Sequence, residues 1–201
     1  LPFQKYIFRN CPSRFFCIRQ IRATVPSLAM VQLLVWYLLR GWQKLVNSQW
    51  VLMAVAEHLI VKTGASRQRQ STGVSMTDDE GHTAYEDYLY MNGGAIFNFT
   101  LEAVPALMKD VLTKNNLSKE EVNYYIFHQA NKFMLNTIRK VCVLPKDQFY
   151  MNLDTTGNTV SSTVMIGLKD CLDCGLVHEG MNVMVTGFGV GLSWAGTVLK
   201  F

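Results

Sequence analysis

Tyr124-Tyr125-Ile126-Phe127-His128-Gln129-Ala130-Asn131 is the stretch on which the fold turns. Four consecutive apolar or aromatic residues predict a strand buried on both faces. After the polar cluster the apolar spacing becomes helical, which predicts a helix over 131–141. In α/β proteins, sites form where a buried strand ends in polar residues and leads straight into a helix. His128 is therefore a candidate functional residue. The plainer readings are that His128 is a satisfied core histidine and that Asn131 caps the helix.

Outward from this stretch, helices and strands alternate. Residues 56–62 (AEHLIVK) predict a strand ending at Gly64, and the polar run 65–90 predicts a loop with a hairpin. Ile96, Phe99, Leu101, Val104, Leu107, Met108 and Val111 recur at helical spacing, which predicts a helix over 96–112 ended by Asn115-Asn116. Ser118 and Glu121 stand at capping-box spacing, predicting a short helix before the 124–127 strand. Pro145 breaks the chain. A helix over 159–174 is entered from Gly157-Asn158 and ended by Gly175. A strand over 181–186, a glycine-rich turn over 187–191 and a strand over 192–200 complete a mixed α/β layer architecture.

The 201 residues are 49% hydrophobic and 17% charged, which excludes a disordered tail, a collagen-like repeat and a disulfide scaffold. Five loosely spaced cysteines suit a reducing cytoplasm. Cys171 and Cys174 have no second pair to complete a four-ligand zinc site, so no metal is expected. The first 55 residues hold seven Lys/Arg, no acid and three of the four Trp; the rest carry twelve Lys/Arg and all fifteen acids. The apolar run 26–39 is fourteen residues, short of the about 20 that a spanning helix needs, and comes too late for a signal peptide. The basic residues of the first 55 are scattered among bulky apolar ones, unlike a nucleic-acid arm. Neither a membrane span nor a nucleic-acid partner is expected; an amphipathic helix on a membrane surface stays open.

Two further motifs carry chemistry. In Asp154-Thr155-Thr156-Gly157-Asn158-Thr159 the glycine permits a positive φ, and Asn158 either caps the next helix or serves a site. In Gly187-Phe188-Gly189-Val190-Gly191 the spaced glycines let N–H groups face an anion. This is not a dinucleotide fingerprint, because no helix follows it.

Together, HQAN at 128–131, TGNTVSS at 156–162, GFGVGLSW at 187–194, and Tyr90-Met91-Asn92-Gly93 with Ile96-Phe97 make residues 56–201 resemble the C-terminal half of the β-ketoacyl-[acyl-carrier-protein] synthase III family, in the thiolase-like superfamily. The resemblance implies an α/β thiolase-like fold, with a mixed five-stranded sheet and helices. It implies an acyltransferase of fatty acid biosynthesis that uses acyl-CoA and malonyl-acyl-carrier protein, with no cofactor. His128 and Asn158 match the histidine and asparagine of the family's Cys-His-Asn set. Both would donate to the malonyl thioester oxygen as an enolate forms, so the protonation and tautomer of His128 matter. Phe188 matches a phenylalanine beside the site. N–H groups of Gly189, Val190 and Gly191 would complete an oxyanion hole, and Asn92, Phe97 and Asn131 would line the pantetheine tunnel. The implied partners are acyl-carrier protein, coenzyme A thioesters, and a second identical chain or a partner synthase subunit. A paralogous synthase of a specialised lipid or polyketide pathway and a non-catalytic half-subunit remain alternatives.

None of the five cysteines stands in the family's nucleophile context. Residues 1–55 also lack the family's glycine- and alanine-rich strand. Read one frame away, Met30-Val31 must give glycine, 27–36 allows V-F-G-D-G-A-A-A-S-L and 47–55 allows G-T-D-G-G. Residues 1–55 are therefore read as an aberrant segment, with at least 19–55 out of frame, and 56–201 as the thiolase-like domain. An out-of-frame segment has no evolved fold.

Overall fold

In chain order the strands are β1 (Lys44–Leu45), β2 (Gln49–Leu52), β3 (Leu59–Ile60), β4 (Ser75–Thr77), β5 (Thr83–Tyr85), β6 (Tyr90–Met91), β7 (Tyr124–Phe127), β8 (Asn182–Gly189) and β9 (Ser193–Lys200). The helices are α1 (Gly93–Asn115), α2 (Lys132–Val141), α3 (Leu153–Thr156) and α4 (Thr163–Asp173), with a 3-10 turn over Val160–Ser162. They come from a computed structural model that describes residues 44–45, 49–52, 58–64, 68–77, 81–189 and 192–201.

The central sheet is mixed and five-stranded. β7 runs parallel to β8, from Tyr124 against Val183 to Phe127 against Thr186. β8 returns antiparallel as β9, and β1 and β2 both pair antiparallel with β9. Both of those last strands come from the segment read as aberrant, so the sheet extends across the expected boundary at 55/56. Main-chain pairing asks little of side-chain identity, so an edge such as β9 accepts many sequences. The other strands form two small pairs, β3 with β6 and β4 with β5.

Strand alternation explains why the 124–127 run is apolar without a break. Tyr125 and Phe127 join Met184, Phe188 and Val198 in a core that includes α1 residues Val104, Leu107 and Val111 and α2 residues Leu135 and Ile138. Tyr124 and Ile126 join Val183, Val185 and Leu199 in a second core with α4 residues Val164, Leu168 and Cys171. Helices thus cover both faces of the sheet, and no solvated face remains to call for polar residues. The outer edge of β7 is also occupied. Tyr125 N–H donates to the Gln148 carbonyl at 2.8 Å, and the Tyr125 carbonyl accepts from Tyr150 N–H at 2.9 Å. The buried Gln129 side chain donates to the Phe127 carbonyl at 2.8 Å.

Three expectations are corrected. The capping box at Ser118 and Glu121 closes only one turn. Ser118 N–H reaches the Glu121 carboxylate at 2.7 Å, but Asn123 N–H already joins the sheet at the Asn182 carbonyl. The strand read over 56–62 is only Leu59–Ile60 among its described residues. Gly187, Phe188 and Gly189 are not a turn but the end of β8, because β9 offers a full partner, with Gly187 against Ala195 and Gly189 against Ser193.

Gly167 of α4 lies where helix and sheet meet most closely. A Cβ there would stand 2.8 Å and 3.0 Å from Tyr150 ring carbons and 3.1 Å from Ile126 Cγ2. The ring is tethered, since Tyr150 OH donates to Asp170 Oδ2 at 2.6 Å. Helix propensity alone makes Gly167→Ala favourable by about 1 kcal/mol, and overpacking costs about 1–3 kcal/mol. The balance is a net loss of up to about 2 kcal/mol, expected in urea unfolding. A gain in stability would mean that the ring yields.

Candidate active site

His128 is the residue immediately after β7, and its N–H continues the ladder by donating to the Thr186 carbonyl at 2.9 Å. The buried Gln129 fixes the chain's exit from the strand. Its Nε2 donates to the Phe127 carbonyl, and its Oε1 accepts from Asn152 N–H at 3.2 Å. Asn131 then caps α2, its side chain accepting from Met134 N–H at 2.8 Å. The histidine is thus held between a rigid strand end and a rigid helix start.

Its ring is enclosed by two further segments. Nδ1 lies 2.7 Å from Thr163 Oγ1 at the start of α4. The Phe188 ring of β8 stands edge-on, with centroids 5.4 Å apart and planes at 76°. Burial disfavours the imidazolium and pushes the pKa down to about 4 from the usual 6.5, opposed by a hydrogen bond with the Val160 backbone. The ring is therefore neutral near pH 7.

Asn158 belongs to the same turn. Its Oδ1 accepts from Val160 N–H at 2.9 Å, which fixes the amide orientation, because only the oxygen can accept. The Nδ2 end is left as a donor on the exposed side. Two backbone irregularities build this corner: Gly157 has φ +64° and Val160 φ +57°. A β-branched residue in the left-handed region is strained, and strain of this kind collects at functional sites.

The structure therefore brings His128, Asn158 and Phe188 around one corner. Asn92 caps α1 by accepting from Ala95 N–H at 2.8 Å. Phe97, one turn further on, stacks on Phe133 of α2 with centroids 5.4 Å apart, and Phe133 is 72% exposed. The three expected tunnel residues, Asn92, Phe97 and Asn131, thus lie at two adjoining helix starts. Gly189 sits in β8, while Val190 and Gly191 lie outside the described residues. Sequence reasoning missed Thr163 and Gln129. Thr163 follows the TGNTVSS motif directly, and a hydroxyl just past a Gly-Asn turn was the available signal. Among the described residues no group of three or more His, Cys, Asp or Glu is placed to hold a metal. None of their helices is long and apolar enough to cross a membrane.

Comparisons with known proteins converge. Residues 112–201 match the family model for the 3-oxoacyl-[acyl-carrier-protein] synthase III C terminal. The chain is 35% identical to a β-ketoacyl-[acyl-carrier-protein] synthase III of Fusobacterium nucleatum over 116 residues, 58% of this chain and 35% of that relative. It is 34% identical to the Streptococcus gordonii protein of the same name over 145 residues, 70% of this chain and 44% of that one. A crystal structure of a 3-oxoacyl-(acyl-carrier-protein) synthase III superposes with a TM-score of 0.75 at 34% identity, covering 79% of this chain and 48% of that one. The Thermus thermophilus synthase III superposes at 0.64 with 26% identity, covering 81% of this chain and 47% of that one. The chain spans less than half the length of these relatives. With an α/β thiolase-like fold of mixed sheet and covering helices, it matches the C-terminal region of the 3-oxoacyl-[acyl-carrier-protein] synthase III family, in the thiolase-like superfamily.

Proposed function

We propose that this chain supplies the decarboxylating half of a synthase III site, which condenses an acyl-CoA-derived acyl group with malonyl-acyl-carrier protein. The bond from the malonyl carbon to its carboxylate breaks, CO2 leaves, and the electron pair becomes an enolate. The enolate carbon attacks the enzyme's acyl thioester, forming a carbon–carbon bond and expelling the cysteine thiolate. Negative charge builds on the malonyl thioester oxygen, where preorganised donors lower the barrier. Neutral His128 and the Asn158 amide are those donors. The supporting observation is that each has its other polar atom tied to the 160–163 turn, in a chain that matches this family.

The acyl-carrying cysteine is not among the described residues. Burial pushes the Cys142 thiol up to about 11 and the Cys171 thiol up to about 12, the reverse of what a nucleophile needs. Cys174 caps the far end of α4, about 16 Å of helix from Thr163. None of the five cysteines, Cys11 and Cys17 outside the described residues included, stands in the family's nucleophile context, so in this proposal a second segment or subunit supplies the cysteine, and the site takes coenzyme A thioesters and acyl-carrier protein as partners. The test is to mix the purified chain with the cysteine-bearing N-terminal region of a synthase III. CO2 release and a 3-oxoacyl product are expected only in the mixture. A complex that forms without product, or an acyl-enzyme on one of this chain's own cysteines, overturns the reading.

In the same proposal residues 19–55 are an out-of-frame stretch. Resequencing the coding DNA across residues 1–60 checks it. A restored frame supports the proposal and makes the recorded segment an artefact; an unchanged sequence makes the gene a decayed remnant or a true half-subunit.

A further inference from the structure

A neutral imidazole carries one N–H, and which nitrogen holds it decides whether His128 can donate to a substrate oxygen. The ring also meets the Val160 backbone, but its short side-chain contact is at Nδ1, and the partner there bears most directly on the choice. That partner is the hydroxyl of the buried Thr163, which has one proton to give and two lone pairs.

Three groups surround Thr163 Oγ1. Gln129 N–H points at it from 3.2 Å and can only donate. His128 Nδ1 lies at 2.7 Å and the Val160 carbonyl at 2.9 Å. The hydroxyl proton goes to one of these two. If it went to Val160, Nδ1 would carry the ring proton and Nε2 would be a bare acceptor. Two observations favour Nδ1. Its 2.7 Å separation has the length of an O–H donor bond, whereas N–H donors mostly sit at about 2.9–3.0 Å. The Val160 carbonyl is already served by the Thr163 backbone N–H.

We propose that Thr163 is the positioning residue that sets the tautomer of His128: its hydroxyl donates to Nδ1 and so leaves the ring N–H at Nε2. Gln129 N–H fills a lone pair of that hydroxyl and holds it in place. The same corner orients Asn158 through Val160 N–H, so residues 160–163 fix the donor polarity of both groups. This inference rests on the proposed reaction only for its purpose; the tautomer is a property of the chain itself.

The test is long-range proton–nitrogen NMR of the full chain carrying 15N-histidine at pH 7, with the His128 signals identified by their loss in His128→Gln. Wild type is expected to show Nε2 as the protonated nitrogen and Nδ1 as an unprotonated nitrogen shifted by an accepted hydrogen bond. Thr163→Ser should preserve this pattern. In Thr163→Val the Nδ1 signal should move, either to that of an unbonded nitrogen or to that of a protonated one. CO2 release in the reconstituted mixture should fall about tenfold, as when an outer partner orienting a histidine is lost, and recover with Ser. A protonated Nδ1 in wild type, or a Nδ1 signal unmoved in folded Thr163→Val, overturns the proposal. If Thr163→Val does not fold, the wild-type and Ser spectra still decide it. If the tautomer is as proposed but the mixture releases no CO2, the functional reading fails and the tautomer assignment stands.

Discussion

Replacing His128 by alanine should lower CO2 release from malonyl-acyl-carrier protein in the reconstituted mixture by about 10²–10³-fold, the loss seen when one preorganised donor to an oxyanion is removed. Little of this should appear in substrate affinity, since the donor strengthens its bond only as charge develops on the oxygen. In the proposed reaction the alanine leaves the enolate with Asn158 as its remaining side-chain donor. His128→Gln keeps an N–H2 donor near the Nε2 position and should lose less. Removing Asn158 as well should cost less than the product of the two single losses, because in the proposed reaction both donors serve one oxygen. Equal rates for wild type and His128→Ala would remove the histidine from the chemistry.

Acid should destabilise the chain through the same residue. The unfolded histidine takes up a proton near its usual 6.5, whereas burial holds the folded ring down to about 4. Between those values the unfolded state binds more protons, so stability rises with pH. The contribution is complete above about 6.5, falls as pH drops toward 4, and is flat below. It amounts to about 3 kcal/mol at one pKa unit per 1.36 kcal/mol. Denaturant titrations from pH 7 to 4 should show this slope in wild type and its loss in His128→Gln. Glu86 and Glu121, held low chiefly by hydrogen bonds to Thr72 and Ser118, also lose stabilisation in acid, but equally in both proteins. Parallel curves for the two proteins would contradict the buried neutral ring.

Sequence logic reached furthest where one local pattern dominated. The 124–127 run reads as a strand covered on both faces, and Asn116 and Asn131 mark helix ends in the expected places, whereas α1 begins at Gly93, three residues before the expected start, with Asn92 as its cap. It failed where a distant partner decided. Ser118 and Glu121 form their bond, but Asn123 is drawn into the sheet by Asn182 before a helix can grow. The spaced glycines 187 and 189 suggest an early turn between the two expected strands, but pairing with β9 carries β8 on to Gly189 against Ser193. The place of Thr163 just past the Gly-Asn turn marks it as a candidate, but its meaning depends on a histidine thirty-five residues away.

The occupied edge of β7 has a consequence for behaviour in concentrated solution. A four-residue, wholly apolar strand at the margin of a sheet is the kind of template on which further chains add and fibres begin. Here both main-chain groups of Tyr125 are taken by residues 148 and 150, and the Phe127 carbonyl by Gln129. Another molecule would have to strip those bonds before it could dock along β7. The local wrapping that seats His128 thus also blocks chain-to-chain growth at this margin of the sheet.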